Sequence, residues 1–141
     1  LVLEGCLLGL VETTPSGGDV FADDLLGRVE LNGGRVWIRQ FNEESHRDPK
    51  IVNNGGSLWI LGLKTEQGGQ ILRNLNGART SILGGVTYPV QGVKGTCAYA
   101  NTRSSLCVLI REMGKYPHAV IEDGDPVDLP FKHGIRFVSE P

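Results

Sequence analysis

Apolar and polar positions in this chain fall into short runs that recur at a fixed interval, and the clearest run is written twice. Residues 31–41 read LNGGRVWIRQF and residues 53–63 read NNGGSLWILGL. A shift of 22 residues superposes Asn32 on Asn54, Gly33 on Gly55, Gly34 on Gly56, Val36 on Leu58, Trp37 on Trp59, Ile38 on Ile60, Phe41 on Leu63 and Glu44 on Glu66. The same shift again aligns Asn76, Gly77, Ile82, Leu83 and Gly84, with Ser81 in place of the Trp. Each match covers a turn and the strand after it. Self-similarity at such a period is the mark of a solenoid, in which every unit buries its apolar face against its neighbours.

Leucine-rich repeats fall in the same range, but the L-x-x-L-x-L-x-x-N frame and its helical return are absent. Apolar residues at i, i+3, i+4 and i+7 are hard to find, whereas Gly, Val, Ile, Thr and Asn abound between the copies. The predicted fold is therefore all-β, a parallel β-helix of about 22 residues per coil. Equivalent residues of such coils stack about 4.8 Å apart. Asn32, Asn54 and Asn76 then form an amide ladder, and Gly33, Gly55 and Gly77 turn the corners at positive φ. Ala78 at the second corner position implies that only the first Gly is essential. Trp37 and Trp59 stack on each other, an arrangement worth about 0.5–1.5 kcal/mol beyond burial, and at least one is expected inside.

The segments LVLEGCLLG and VFADDLLG read as one strand each, the coils before the first copy. Past Tyr88-Pro89 the period is lost. Coils are thus expected over 1–92, with 93–141 of the same domain forming a hairpin, whose second strand is LCVLIRE, and an irregular C-terminal β cap that hides the solenoid's edge.

A length of 141 residues suits one domain. A net charge of -2 without runs of like charge argues against a nucleic-acid partner. The segment LVLEGCLLGLV is interrupted by Glu4, Gly5, Gly9 and Glu12, too often for a membrane span, and it lacks the basic start of a signal peptide. Because the chain opens on Leu1, we expect a processed or partial chain. Its first coil would expose apolar surface and an unpaired strand edge, to be covered by another chain or by missing N-terminal coils. Cys97 and Cys107 bracket AYANTRSSL, a spacing compatible with a disulfide across a turn or with two half-buried thiols. Cys6 is expected in the core.

Three stretches, VWIRQFNEES, IVNNGGSLWILGLKTEQGGQIL and GARTSILGGVTYPVQ, resemble the C-terminal part of bacterial secreted proteins of the pectate-lyase-like superfamily, the group related to glycoside hydrolase family 28 or similar to family 55. The resemblance implies a right-handed parallel β-helix, a secreted or cell-envelope location, and polysaccharide as the ligand class. It does not carry catalysis over. The Asn-Thr-Asp, Asp-Asp, Gly-His-Gly and Arg-Ile-Lys signatures of polygalacturonases are not met as a set. Asp23-Asp24, His133-Gly134 and Arg136 supply fragments in the wrong order.

Candidate chemistry centres on Glu44 and Glu66, one repeat apart and so on adjacent coils. Two carboxylates roughly 5–9.5 Å apart are what glycoside hydrolysis needs. The reading favoured over this is that both are ordinary solvated turn residues. The most polar loop, EESHRDPK, adds His46 and Arg47 as ligand-binding candidates, with Lys64 beside Glu66. Asp19, Asp23 and Asp24, and the group Glu122, Asp123, Asp125 and Asp128, offer oxygen ligands for Ca²⁺, but no calcium-loop frame is met. His118 and His133 lack partners at zinc spacing, so no metal site and no cofactor are expected. The leading expectation is an extracellular β-helical module with a structural or carbohydrate-binding role. A polysaccharide hydrolase or lyase using Glu44 and Glu66, and a self-associating surface or filament subunit, are the alternatives.

Overall fold

The structure, a computed structural model, describes residues 1–5, 7–90, 95, 97–112, 116–129 and 134–140. It is a parallel β-solenoid of about 5 turns, with no helix among the described residues. Three strips of stacked strands run along it. The first carries β1 (Val2–Glu4), β3 (Val20–Asp23), β5 (Arg35–Ile38), β8 (Ser57–Ile60), the start of β11 (Arg79–Thr87) and β13 (Ser105–Glu112). Round one corner, β6 (Phe41–Asn42) and β9 (Leu63–Thr65) stack between the start of β4 (Leu25–Asn32) and the end of β11. The third strip continues from β2 (Leu7–Thr13) through β4, β7 (Ile51–Asn54), β10 (Leu72–Leu75) and β12 (Cys97–Thr102) to β14 (His118–Glu122).

Strand alternation decides which side chains fill the interior, because successive residues point to opposite faces. On the first strip Val36, Ile38, Leu58, Ile60 and Ile82 are buried, and on the third so are Val29, Leu31, Ile51, Leu72 and Tyr99. Each such aliphatic side chain contributes about 1.5–3 kcal/mol when fully removed from water. The same parity corrects the expectation of an inward Trp. Trp37 lies between buried Val36 and Ile38, and Trp59 between buried Leu58 and Ile60, so both indoles lie on the outer surface, half-buried.

The corner between the third and first strips follows the predicted chemistry. Asn54 Nδ2 donates to Asn32 Oδ1 at 3.1 Å and Asn76 Nδ2 donates to Asn54 Oδ1 at 2.8 Å, which builds the amide ladder. Gly33, Gly55 and Gly77 have φ of 84°, 70° and 75°. The second Gly is not dispensable, however. A Cβ on Gly56 would sit 2.9 Å from both Asn53 Oδ1 and the Gly33 carbonyl. The third corner tolerates Ala78 because it is one residue longer: Leu75 pairs with Asn54 but Arg79 with Ser57. The added residue, Asn76, adopts φ 59° and returns its amide to the ladder.

Inside the coils a second polar column runs along the third strip, joined by Thr80 of the first, and none of its members is exposed. Asn53 Nδ2 donates to Thr80 Oγ1, Thr80 Oγ1 donates to Asn74 Oδ1, and Asn74 Nδ2 donates to Asn101 Oδ1, at 2.8, 2.8 and 2.7 Å. Asn101 Nδ2 ends the column on the Glu122 carboxylate at 3.0 Å. Buried amides are tolerated only when they are paired in this way.

Two expectations about strand pairing need correction. Cys97–Thr102 and Ser105–Glu112 do not form a hairpin: β12 pairs with β10 and β14, and β13 with β11 and β16 (Ile135–Ser139). They are a further coil. Leu72 pairs with Tyr99 and Tyr99 with Val120, so the repeat continues past Tyr88-Pro89 after a longer connection that breaks the fixed interval. Likewise VFADDLLG is two strands, β3 and the start of β4, bent at Asp24 (φ 54°), and LVLEGCLLG bends at Gly5 (φ 55°). The C-terminal residues do cover edges. Antiparallel β16 lies along β13, and antiparallel β15 (Asp125–Val127) along β14, which removes two templates for pairing with other chains.

Candidate functional site

The second strip brings three of the expected residues together. Asn42 pairs with Lys64, and Glu44 follows Asn42 on the same coil, its Oε1 accepting from Asn42 Nδ2. Lys64 Nζ lies 2.6 Å from Glu44 Oε1 and 2.5 Å from Glu66 Oε1, so the two carboxylates share one ammonium. Tyr88 adds a fourth group that the sequence reading overlooked, its hydroxyl donating to Glu66 Oε1 at 2.5 Å. Lys64, and secondarily Asn42, holds the Glu44 carboxyl below the usual range; Lys64, and secondarily Tyr88, does the same for Glu66. The two carboxylates in turn hold the Lys64 ammonium well above its ordinary value, and Glu66 raises the Tyr88 phenol. A general acid for glycoside cleavage needs a raised carboxyl pKa, through burial or an uncompensated neighbouring charge. Here the counterion has the opposite effect on both.

His46 and Arg47 lie farther along the same loop, exposed. That loop is anchored beneath by two buried charged residues. Ser45 N donates to Glu43 Oε1 at 2.8 Å, and Lys50 Nζ donates to the Ser45 carbonyl. Burial lowers the Lys50 pKa, opposed by nearby Glu43 and Asp48.

Cys97 and Cys107 are free thiols. They lie on different strips: Cys97 is buried, accepting from Gln70 Nε2 at 3.4 Å, whereas Cys107 faces outward and is half-buried. The bridge that their spacing allowed needs a hairpin, and these strands do not form one. Cys6 and His133 lie outside the described residues. Several of the acidic residues considered for Ca²⁺ have other partners. Arg35 donates to both carboxylate oxygens of Asp19 at 2.8 and 3.0 Å, Arg39 grips Asp23 in the same bidentate way, and Asp123 accepts from Arg103 N at 2.7 Å.

The larger feature is the outer surface of the first strip. Val2, Phe21, Trp37, Trp59, Ser81, Cys107 and Val138 follow one another in register as one outward row. Phe21 and Trp37 stack with centroids 4.8 Å apart and planes 9° from parallel, and Trp37 and Trp59 repeat this at 4.8 Å and 4°. Phe21 escaped the sequence reading because its coil is shorter than the repeat. Bidentate pairs flank the column on both sides, Asp19–Arg35 on one and Asp23–Arg39 on the other. Arg35 also lies over the Trp37 ring, 5.7 Å from its centroid. A groove of about 300 Å³ runs beside the column, lined by Val2, Phe21, Trp37, Trp59 and Leu61 with Asp23 and Arg39 at its rim. Beyond it the row of Leu61, Leu83 and Leu109 is also exposed.

Together the strips, corners and ladders define the class, a parallel β-helix with a flat aromatic face. Comparison of the chain with protein-family models, with curated proteins and with solved structures finds no match. No helix of the described residues is long and apolar enough to cross a membrane.

Proposed function

We propose that the chain is a β-helical module of a secreted or cell-envelope protein, with pectate-lyase-like ancestry, whose first strip binds polysaccharide without cleaving it. The observation that carries this reading is the outward aromatic column. Strand parity places three large aromatics on the outer face, where the core does not require them, and ion pairs flank the column on both sides. An extended groove with aromatic walls and charged rims suits a ligand with apolar C–H faces and many hydroxyls. The acidic cluster supports the absence of cleavage, since the shared Lys64 ammonium holds both carboxyls below the usual range, the opposite of what a general acid needs.

Affinity electrophoresis through gels containing soluble xylan, mannan, mixed-linkage glucan or polygalacturonate tests it. At least one polysaccharide should retard the protein, and the triple variant Phe21→Ala/Trp37→Ala/Trp59→Ala should migrate unretarded while keeping its circular dichroism. Equal migration in every gel refutes the proposal. Release of reducing ends that is lost in Glu66→Gln would favour the hydrolase reading instead.

A second reading draws on the exposed Leu61, Leu83 and Leu109 row, which ends on Arg136: an apolar stripe suited to self-association. Sedimentation velocity that shows concentration-dependent growth, abolished by Leu83→Lys, would support it.

A further inference from the structure

The aromatic column ends at a step, and the step has the features of a binding seat. Stacked rings cover each other's faces, so Trp37, with Phe21 on one side and Trp59 on the other, has no free face to offer. Trp59 differs. The next residue in its row is Ser81, followed by Cys107, and the row rises again only at Val138. One indole face therefore looks into a trough floored by small side chains. Three strand spacings of about 4.8 Å separate the Trp59 and Val138 positions. The resulting cavity is about 450 Å³, lined by Trp59, Arg79, Ser81, Ser105, Cys107 and Glu140 among others, within the range of small-ligand sites.

The polar lining is equally distinctive. In the row beside the column, Asp19, Arg35, Ser57, Arg79 and Ser105 follow in register, and Glu140 continues it one residue beyond the Leu106–Ser139 pair. Arg35 in this row and Arg39 across the column are each clamped on an aspartate. Among the described residues the Arg79 guanidinium has no carboxylate partner, and neither Arg79 nor Glu140 takes part in an ion pair. Two strand spacings, about 9.6 Å, keep them apart, with the Ser105 position between. The trough thus presents an open aromatic face, a free fork of donors, a free carboxylate acceptor and serine positions on its floor.

We infer that this trough is a subsite for one neutral pyranose unit of a polysaccharide, its C–H face on the open side of Trp59 and its hydroxyls accepting from Arg79 and donating to Glu140. The inference rests on the polysaccharide reading and assigns its anchoring point. Neutrality follows from the pair of opposite free charges: a ring of hydroxyls satisfies both, whereas an anionic sugar gains at Arg79 and is repelled at Glu140. The missing third Trp of the repeat is then the feature that opens the seat.

Isothermal titration with xylohexaose, mannohexaose, cellohexaose and a galacturonate hexamer tests it. One neutral hexaose should bind and perturb Trp fluorescence. Trp59→Ala should weaken binding by about tenfold, equivalent to about 1.4 kcal/mol. Ser81→Trp restores the repeat, extends the stack and covers the open face, so it should abolish binding while leaving the thermal midpoint unchanged or raised. Binding that survives Ser81→Trp but is lost in Phe21→Ala overturns the subsite and leaves the polysaccharide reading standing. Binding of the galacturonate hexamer alone overturns the neutral assignment. No binding of any of the four, together with unretarded migration in every polysaccharide gel, overturns both.

Discussion

Replacing Asn74 by Ala isolates the internal polar column from everything else in the fold. The amide is fully buried and makes three hydrogen bonds: it accepts from Thr80 Oγ1 at 2.8 Å and donates to Asn101 Oδ1 at 2.7 Å and to the Ser105 carbonyl at 2.9 Å. Removing it strands an amide oxygen and a carbonyl with no water at hand and leaves the Thr80 hydroxyl to find a new acceptor. Each buried orphan costs about 1–3 kcal/mol, so the total should be about 3–5 kcal/mol, at the upper end of single substitutions. Against a domain stability of about 5–15 kcal/mol, that is a large fraction. Asn54→Ala is the control, since its ladder lies at the half-exposed corner where water replaces the lost partner, at about 0.5–1 kcal/mol. Urea unfolding followed by Trp fluorescence and by circular dichroism gives both values, provided the slopes m agree. If Asn74→Ala shifts the midpoint no further than Asn54→Ala, the internal column is not a stabilising element and the reasoning fails.

Three further outcomes are expected. Gly85→Ala should destabilise far more than Gly77→Ala, because a Cβ at Gly85 would lie 2.0 Å from the Leu63 carbonyl oxygen whereas at Gly77 nothing lies within 4 Å; only the positive φ is at stake at Gly77, a cost of about 1–2 kcal/mol, and similar thermal midpoints for the two would contradict the close approach. Glu44 and Glu66 titrate below 4.5 in the folded chain, so their contribution is fully present above that value and is lost as pH falls through the folded pKa; the stability gap between wild type and Lys64→Met should therefore be widest near neutrality and close in acid, and a gap of equal size at pH 3 and pH 7 would assign it to packing. Lys50 is depressed below 10.5 by burial, so the unfolded chain binds more protons there and this group's contribution rises with pH; wild type should gain on Lys50→Met between pH 7 and 10, and a constant difference would mean that the ammonium is not desolvated.

The central coils could be read from the chain because their corners are built from side chains that bond to their own kind. An amide that ladders with the amide above must recur at the coil length, and so must a Gly at positive φ, which is why Asn32, Asn54 and Asn76 with Gly33, Gly55 and Gly77 were found by alignment alone. The outer coils obey the same stacking but were hidden, because loop length rather than strand length sets the interval. Phe21 stands under Trp37 across a short coil, and Tyr99 over Leu72 across a long one. A fixed-shift alignment cannot register either. The internal column was invisible for a related reason: Asn53 and Asn74 look like turn residues in sequence, and only the strand parity that buries Leu31 and Ile51 reveals that they point inward.

For the site, the alignment placed Glu44 above Glu66 correctly but left out what lies between them. Lys64 sits two residues before Glu66 on the same strand face, and Tyr88 follows from the coil after. In a stacked ribbon, charges in register on adjacent coils lie about 4.8 Å apart, so opposite charges attract and like charges repel. Several outward charges are paired in this way, with Asp19 against Arg35, Asp23 against Arg39, and Lys64 shared between Glu44 and Glu66. Arg79 and Glu140 share one row without an ion pair, with a serine position between them and an uncovered indole alongside. In the proposed subsite, sugar hydroxyls would give Arg79 and Glu140 the partners that the chain does not.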